Sequence, residues 1–196
     1  EGLWLVPTGP LTNIALALRA APDLARRIAG ISLMGGGTFG NRTAAAEFNI
    51  WCDPEAADVV FSYGGPLIVS GLDITHQFQA LPHRVDMVRA LPGNLAAVLA
   101  DLLDFFSGTY RSRHHGIGGA AVHDPLAVMA LTHSQLFTRK NVHVEIETQG
   151  HRTLGQTVVD LRDLKEVPTG NCEWQTGLDA DAAWDVVVSS IASFSR

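Results

Sequence analysis

Short apolar runs alternate with stretches of helical character along this chain. Leu3-Trp4-Leu5-Val6 is an apolar run closed by Pro7-Thr8-Gly9-Pro10, the pattern of a buried strand entering a tight turn. Thr12 or Asn13 is placed to cap a helix through Ala20, with Pro22 beyond it, and a second helical stretch covers Asp23 to Ile28. Ile31 to Met34 reads as a strand ended by Gly35-Gly36-Gly37. Asp53-Pro54 opens a helix to about Tyr63, and Pro66 to Ser70 is the next buried strand. The spacing of Leu95, Val98, Leu99, Leu102, Leu103, Phe106 and Tyr110 predicts a long helix from Asn94 to Arg113. A polar, glycine-rich loop from His114 to Gly119 follows, and that composition predicts mobility. Asp124-Pro125 repeats the helix start, to about Leu131. Val142 to Thr148 and Thr157 to Leu161 read as strands, and Asp179 to Phe194 as the last helix.

Strands alternating with helices predict an α/β fold: a mainly parallel, Rossmann-like sheet with flanking helices. The chain opens on Glu1 and enters a core strand almost at once. The expectation is therefore one partial domain over residues 1–196, incomplete at its N-terminal side. The length suffices for a substantial core.

Composition narrows the function. The net charge is −6 and no basic run exists, which argues against a nucleic-acid backbone as partner. No apolar run approaches the ~20 residues that span a bilayer, and no signal peptide is legible. Cys52 and Cys172 show no CxxC spacing, so a reducing, cytoplasmic setting is expected.

The densest chemistry lies in Ala46-Glu47-Phe48-Asn49-Ile50-Trp51-Cys52-Asp53-Pro54-Glu55-Ala56-Ala57, just beyond the triple glycine and Asn41. Glu47 can accept from hydroxyls, Asn41 and Asn49 both donate and accept, and Phe48 offers an apolar face. That set suits a polyhydroxylated ligand. Glu47 and Asn49 could equally belong to a surface loop with local turn bonds, and Met34 to the core. Asp124 alone reads as a plain helix N-cap, and His123 as a histidine bonded in a helix start. Phe106 and Tyr110 lie one turn apart and face one way, as core residues or as a pair of aromatic walls. No Gly-x-Ser-x-Gly elbow or clustered zinc-ligand set is present.

The Gly-Gly-Gly stretch, Asn41, Glu47-Phe48-Asn49 and Asp53-Pro54-Glu55-Ala56-Ala57 resemble the inosine-uridine type nucleoside hydrolases. So do, in order along nearly the whole chain, Val6 to Asn13, Gly71 to His76 and Ala121 to Pro125. The resemblance implies hydrolysis of the N-glycosidic bond of ribonucleosides through a calcium-activated water and an oxocarbenium-like ribosyl transition state. It implies Asp124 and the Thr8 carbonyl as calcium ligands and His123 as the acid that protonates the leaving base. It places Asn41, Glu47 and Asn49 on the ribose hydroxyls, with Met34 and Phe48 lining the sugar pocket and Phe106 and Tyr110 flanking the base. The family's Asp-x-Asp-Pro-Gly-x-Asp-Asp motif, with the remaining calcium ligands and the aspartate base, does not occur in this sequence. The calcium site is therefore expected to be incomplete and the isolated chain inactive. The contrasting expectation is a non-catalytic ribose-binding or structural relic. A homodimer or homotetramer is implied by the resemblance, and nucleobase preference is left open between purines and pyrimidines.

Overall fold

A computed structural model describes residues 2–113, 118–164 and 166–194. In chain order the elements are β1 (Trp4–Leu5), α1 (Thr12–Ala20), α2 (Leu24–Arg27), β2 (Gly30–Met34), α3 (Phe48–Cys52), α4 (Pro54–Phe61), β3 (Leu67–Ser70) and α5 (Leu72–Thr75). Then come α6 (Pro82–Arg89), α7 (Asn94–Arg113), α8 (Pro125–Thr132), a 3-10 turn (Ser134–Leu136), β4 (Phe137–Val142), β5 (Val144–Ile146), β6 (Thr157–Val159), β7 (Cys172–Leu178) and α9 (Ala180–Ser193). The His114–Gly119 loop, with His114 and His115, falls at 114–117 outside the described residues.

The chain forms two compact units. The first holds the residues up to Ile74 together with His123–Gly177. Its sheet has the order β1-β2-β3-β7-β4, and the pairings β1–β2, β2–β3 and β3–β7 are parallel. The α/β fold expected from the alternation is thus present, with a parallel centre. β5 and β6 form a separate antiparallel pair.

The core follows from the apolar runs. β2 and β3 are buried at every position, as expected of strands covered on both faces. Leu11, Ala15 and Leu18 of the α1 region pack with Ala57, Val60 and Phe61 of α4 against Ile31, Leu33 and Val69. The strand expected to be buried over Leu3 to Val6 is a correction. β1 is short and half-buried, and Leu3 is 68% exposed. Its position explains this, because among the described residues β1 lies at the sheet edge and pairs with β2 alone. The expected cap of α1 also differs. Thr12 is spent on Asp53, to which its hydroxyl donates, so it makes no cap bond.

The second unit holds Thr75–Val122 and the chain from Leu178 onward. α6, α7 and α9 pack around Phe78 and Trp184, whose rings tilt at 58° with centroids 5.4 Å apart. Arg84 is buried there. It donates to Asp181 Oδ1 (2.6 Å) and to the Gln79 carbonyl (2.9 Å), while its own carbonyl accepts from Trp184 Nε1 (2.9 Å).

Candidate active site

Glu47 is the residue around which the local backbone is organised. It occupies the N-cap position of α3 and is 3% exposed. Its Oε2 accepts from the backbone N–H groups of Asn49 (2.9 Å), Ile50 (3.2 Å) and, across the loop, Gly36 (3.0 Å). Two of these are the orphan amides of a helix start, and the third is supplied by the triple glycine. Gly36 takes φ +75°, the left-handed region that costs glycine nothing. Burial raises the Glu47 pKa, and the backbone donors oppose that shift without cancelling it.

Asn49 is also buried, and its Nδ2 donates to the Met34 carbonyl (3.0 Å) and Sδ (3.3 Å). Asn41 is exposed, and its Oδ1 accepts from Phe48 N–H (2.9 Å), tying the 41–46 turn to the start of α3. Glu47 and Asn49 are therefore no surface turn.

Met34 joins this loop to the rest of the site. It ends β2, and its N–H donates to the Pro7 carbonyl (3.0 Å), one residue before Thr8. Its side chain packs with Leu72, Ala127 and Val6 in a small cluster of its own. The Ser32 hydroxyl donates to the Ala127 carbonyl (2.7 Å), fixing α8 on β2. Ala127 lies at the carboxyl end of the strands. Ala130 and Leu131 lie instead beside Leu67 and Ile68, where β3 begins, around a cavity of about 720 Å3. α8 thus runs opposite to the strands. Its first residues, with His123 and Asp124 before them, stand at the carboxyl end of the sheet, where open α/β sheets bind ligands. The large cavity lies at the other end, away from these polar groups.

Asp124 and Asp53 both precede proline at a helix start, and only one of them caps. Asp53 Oδ1 accepts from Ala56 N–H (3.0 Å), whereas Asp124 makes no side-chain cap bond. The Asp124 carboxyl is left for other partners, and partial burial raises its pKa. Thr8 is exposed in the turn after β1. Thr8 and Asp124 are the two residues that the family resemblance implies as calcium ligands. Among the described residues, no group of three or more His, Cys, Asp or Glu side chains could hold a metal ion. One carboxylate and one backbone carbonyl would supply part of a calcium shell of ~6–8 oxygens.

Phe106 and Tyr110 belong to the second unit. They stack edge to face with centroids 5.5 Å apart, as their one-turn spacing predicts. Phe106 is 45% exposed, so it is not a core residue. The sequence reading did not single out Gly36 as partner of Glu47, nor Asp73. The Asp73 carboxylate accepts from Thr38 N–H (3.1 Å) and hydroxyl (2.5 Å), steadying the loop that follows the glycines. The signal for the first was the Gly-Gly-Gly run, which marks a backbone that must approach something closely.

A buried carboxylate and a buried carboxamide thus stand beside the end of β2. The chain belongs to the inosine-uridine preferring nucleoside hydrolase family, whose model matches residues 1–185. The pyrimidine-specific ribonucleoside hydrolase RihA of Shewanella sp. (strain MR-7) is 46% identical over 192 residues, covering 97% of this chain and 60% of that protein. RihA of Enterobacter sp. (strain 638) is 43% identical over 199 residues, covering 100% of this chain and 62% of the relative. Among solved structures, the purine-preferring ribonucleoside hydrolase from Gardnerella vaginalis superposes with TM-score 0.89 at 35% identity, over 98% of this chain and 61% of that one. The plant nucleoside hydrolase PpNRh1 gives 0.86 at 26% identity, over 97% and 62%. The chain thus spans about three fifths of the length of the relatives it matches.

Proposed function

We propose that this chain serves the hydrolysis of the N-glycosidic bond of ribonucleosides, contributing the ribose-binding floor and the proton donor. The observation that carries the reading is Glu47. It is a buried carboxylate with Oε2 held by three backbone amides, next to a buried Asn49 and to Asn41. A ribose offers vicinal hydroxyls that donate to such an oxygen and accept from a carboxamide.

In this reading Glu47 fixes one sugar hydroxyl and Asn41 and Asn49 orient the others. Met34 and Phe48 line the apolar side of the ring. His123 donates a proton to the departing base, a role suited to an imidazole. Asp124 and the Thr8 carbonyl would hold calcium, which when bound acidifies and orients the attacking water. Among the described residues that shell is incomplete. The same fact favours a second reading, ribose binding without turnover by the isolated chain.

The test is a calorimetric titration with uridine, inosine and free uracil, alongside a ribose-release assay. Ribonucleoside binding that the free base does not reproduce supports the reading, as does displacement of the His123 imidazole resonances on binding. No ribonucleoside binding at millimolar concentration rejects it. We further propose a cytoplasmic homo-oligomer, which sedimentation of the purified chain would test.

A further inference from the structure

Met34, Ser70 and Gln175 stand side by side across three strands. Met34 is the register partner of Ser70, and the pairing of Val69 with Trp174 sets Gln175 beside Ser70. Ile31, Leu33, Val69 and Trp174 belong to the core shared with α1 and α4, so the alternate positions face α8. The bond from Ser32 to the Ala127 carbonyl and the packing of Met34 with Ala127 record that direction. Ser70 and Gln175 are fully buried, and the Ser70 hydroxyl donates to Gln175 Oε1 (2.7 Å).

The peptide group between Met34 and Gly35 links this pair to Asn49. Its N–H donates to the Ser70 carbonyl (3.3 Å), and its C=O accepts from Asn49 Nδ2 (3.0 Å). The group is planar, so a tilt at one end moves the other. The next amide along, that of Gly36, donates to Glu47. Among the described residues, Nε2 of Gln175 has no hydrogen-bond partner although it is buried. A methionine would fill the same space without stranding a donor, so packing does not account for the carboxamide. What the carboxamide contributes is the acceptor for Ser70.

We propose that Gln175 is a positioning residue for the ribose cradle, holding Ser70 and, through the Met34–Gly35 peptide, the carboxamide of Asn49. The inference rests on the ribose-binding reading of Glu47 and Asn49 and deepens it. Part of the discrimination for sugar hydroxyls is thereby set on β7, by a residue that acts through others and not on the ligand.

The experiment titrates the whole chain with uridine, 2′-deoxyuridine and 3′-deoxyuridine, in wild type, Gln175→Met and the double variant Ser70→Ala/Gln175→Met. Wild type binds uridine about tenfold tighter than at least one deoxy analogue, the worth of one hydrogen bond. In Gln175→Met that preference falls by about threefold or more, while the melting temperature stays close to that of wild type. The double variant removes donor and acceptor together, so it folds without an orphaned hydroxyl and shows the same loss of preference. An unchanged preference in either folded variant overturns the proposal and leaves the ribose reading standing. So does a loss of affinity that uridine and both deoxy analogues share equally, because that is a general loosening of the pocket. Unfolding of both variants overturns it as well, since the carboxamide then serves stability. Wild type that binds all three nucleosides alike, or binds none, rejects the ribose reading and the role of Gln175 with it.

Discussion

The amide of Gly36 donates to Oε2 of Glu47 at 3.0 Å, a bond that joins the end of β2 to the start of α3 across eleven residues. It makes one side chain both the cap of a helix and the anchor of the glycine turn. The carboxylate is held before any ligand arrives, so binding need not order it.

Removing that anchor should be costly. Glu47→Ala strands three buried N–H groups and deletes a helix cap, and a loss of about 2–4 kcal/mol is expected in urea unfolding. Glu47→Gln retains an oxygen for those amides and should lose far less.

The same pair of proteins separates a pH effect. Burial raises Glu47 above its ordinary value of 4.5. A raised carboxyl binds its proton more tightly when folded, so its contribution to stability is greatest below 4.5. That contribution declines as pH climbs to the folded pKa and is constant above it. The stability difference between wild type and Glu47→Gln should therefore shift against the wild type across that window. A difference that does not vary between pH 4 and 7, on the order of the range where buried carboxyls titrate, would contradict the assignment.

Gly36 and Thr157 test the turn from its other side. A Cβ at Gly36 would lie 2.7 Å from Thr157 Oγ1, and the backbone there is left-handed. Gly36→Ala should cost about 1–3 kcal/mol through both effects. Adding Thr157→Ala relieves the clash and not the dihedral, so a thermal-melt cycle should show partial recovery. Full recovery would mean that the dihedral carries no strain.

The two Asp-Pro helix starts should behave in opposite ways. Asp53 caps α4 and accepts from the Thr12 hydroxyl, so Asp53→Ala should destabilise by about 1–2 kcal/mol. Asp124 caps nothing and its carboxyl is partly desolvated, so Asp124→Ala should leave the melting temperature unchanged or raised. Equal losses from both would remove the argument that Asp124 is kept for a ligand.

What the sequence made legible follows from where burial and polarity agree. β2 and β3 are buried throughout and mostly apolar, and Asp53 and Asp179 are caps of the commonest kind, so those elements stand where the pattern places them. β7 went unread because its middle carries Gln175. That residue is fully buried and accepts from the Ser70 hydroxyl (2.7 Å) on the neighbouring strand, a pairing no single segment reveals. α6 went unread because Arg84, in its middle, is buried through partners on α9 about a hundred residues away. α3 was hidden by its cap, since glutamate is not among the favoured N-cap residues and its fit depends on Gly36. In the site, the residue types were legible from Glu47-Phe48-Asn49. The role of Met34 as the joint between loop, sheet and α8 needed the fold.

The most direct measurement is the uridine affinity of wild type against Glu47→Gln, with folding of both checked by thermal melt. If Glu47 holds a ribose hydroxyl, the variant melts close to the wild type and binds uridine about tenfold to a hundredfold more weakly, the worth of one charge-assisted hydrogen bond. Equal uridine affinity in two folded proteins would show that the carboxylate serves the loop alone, and would contradict the ribose site built on it.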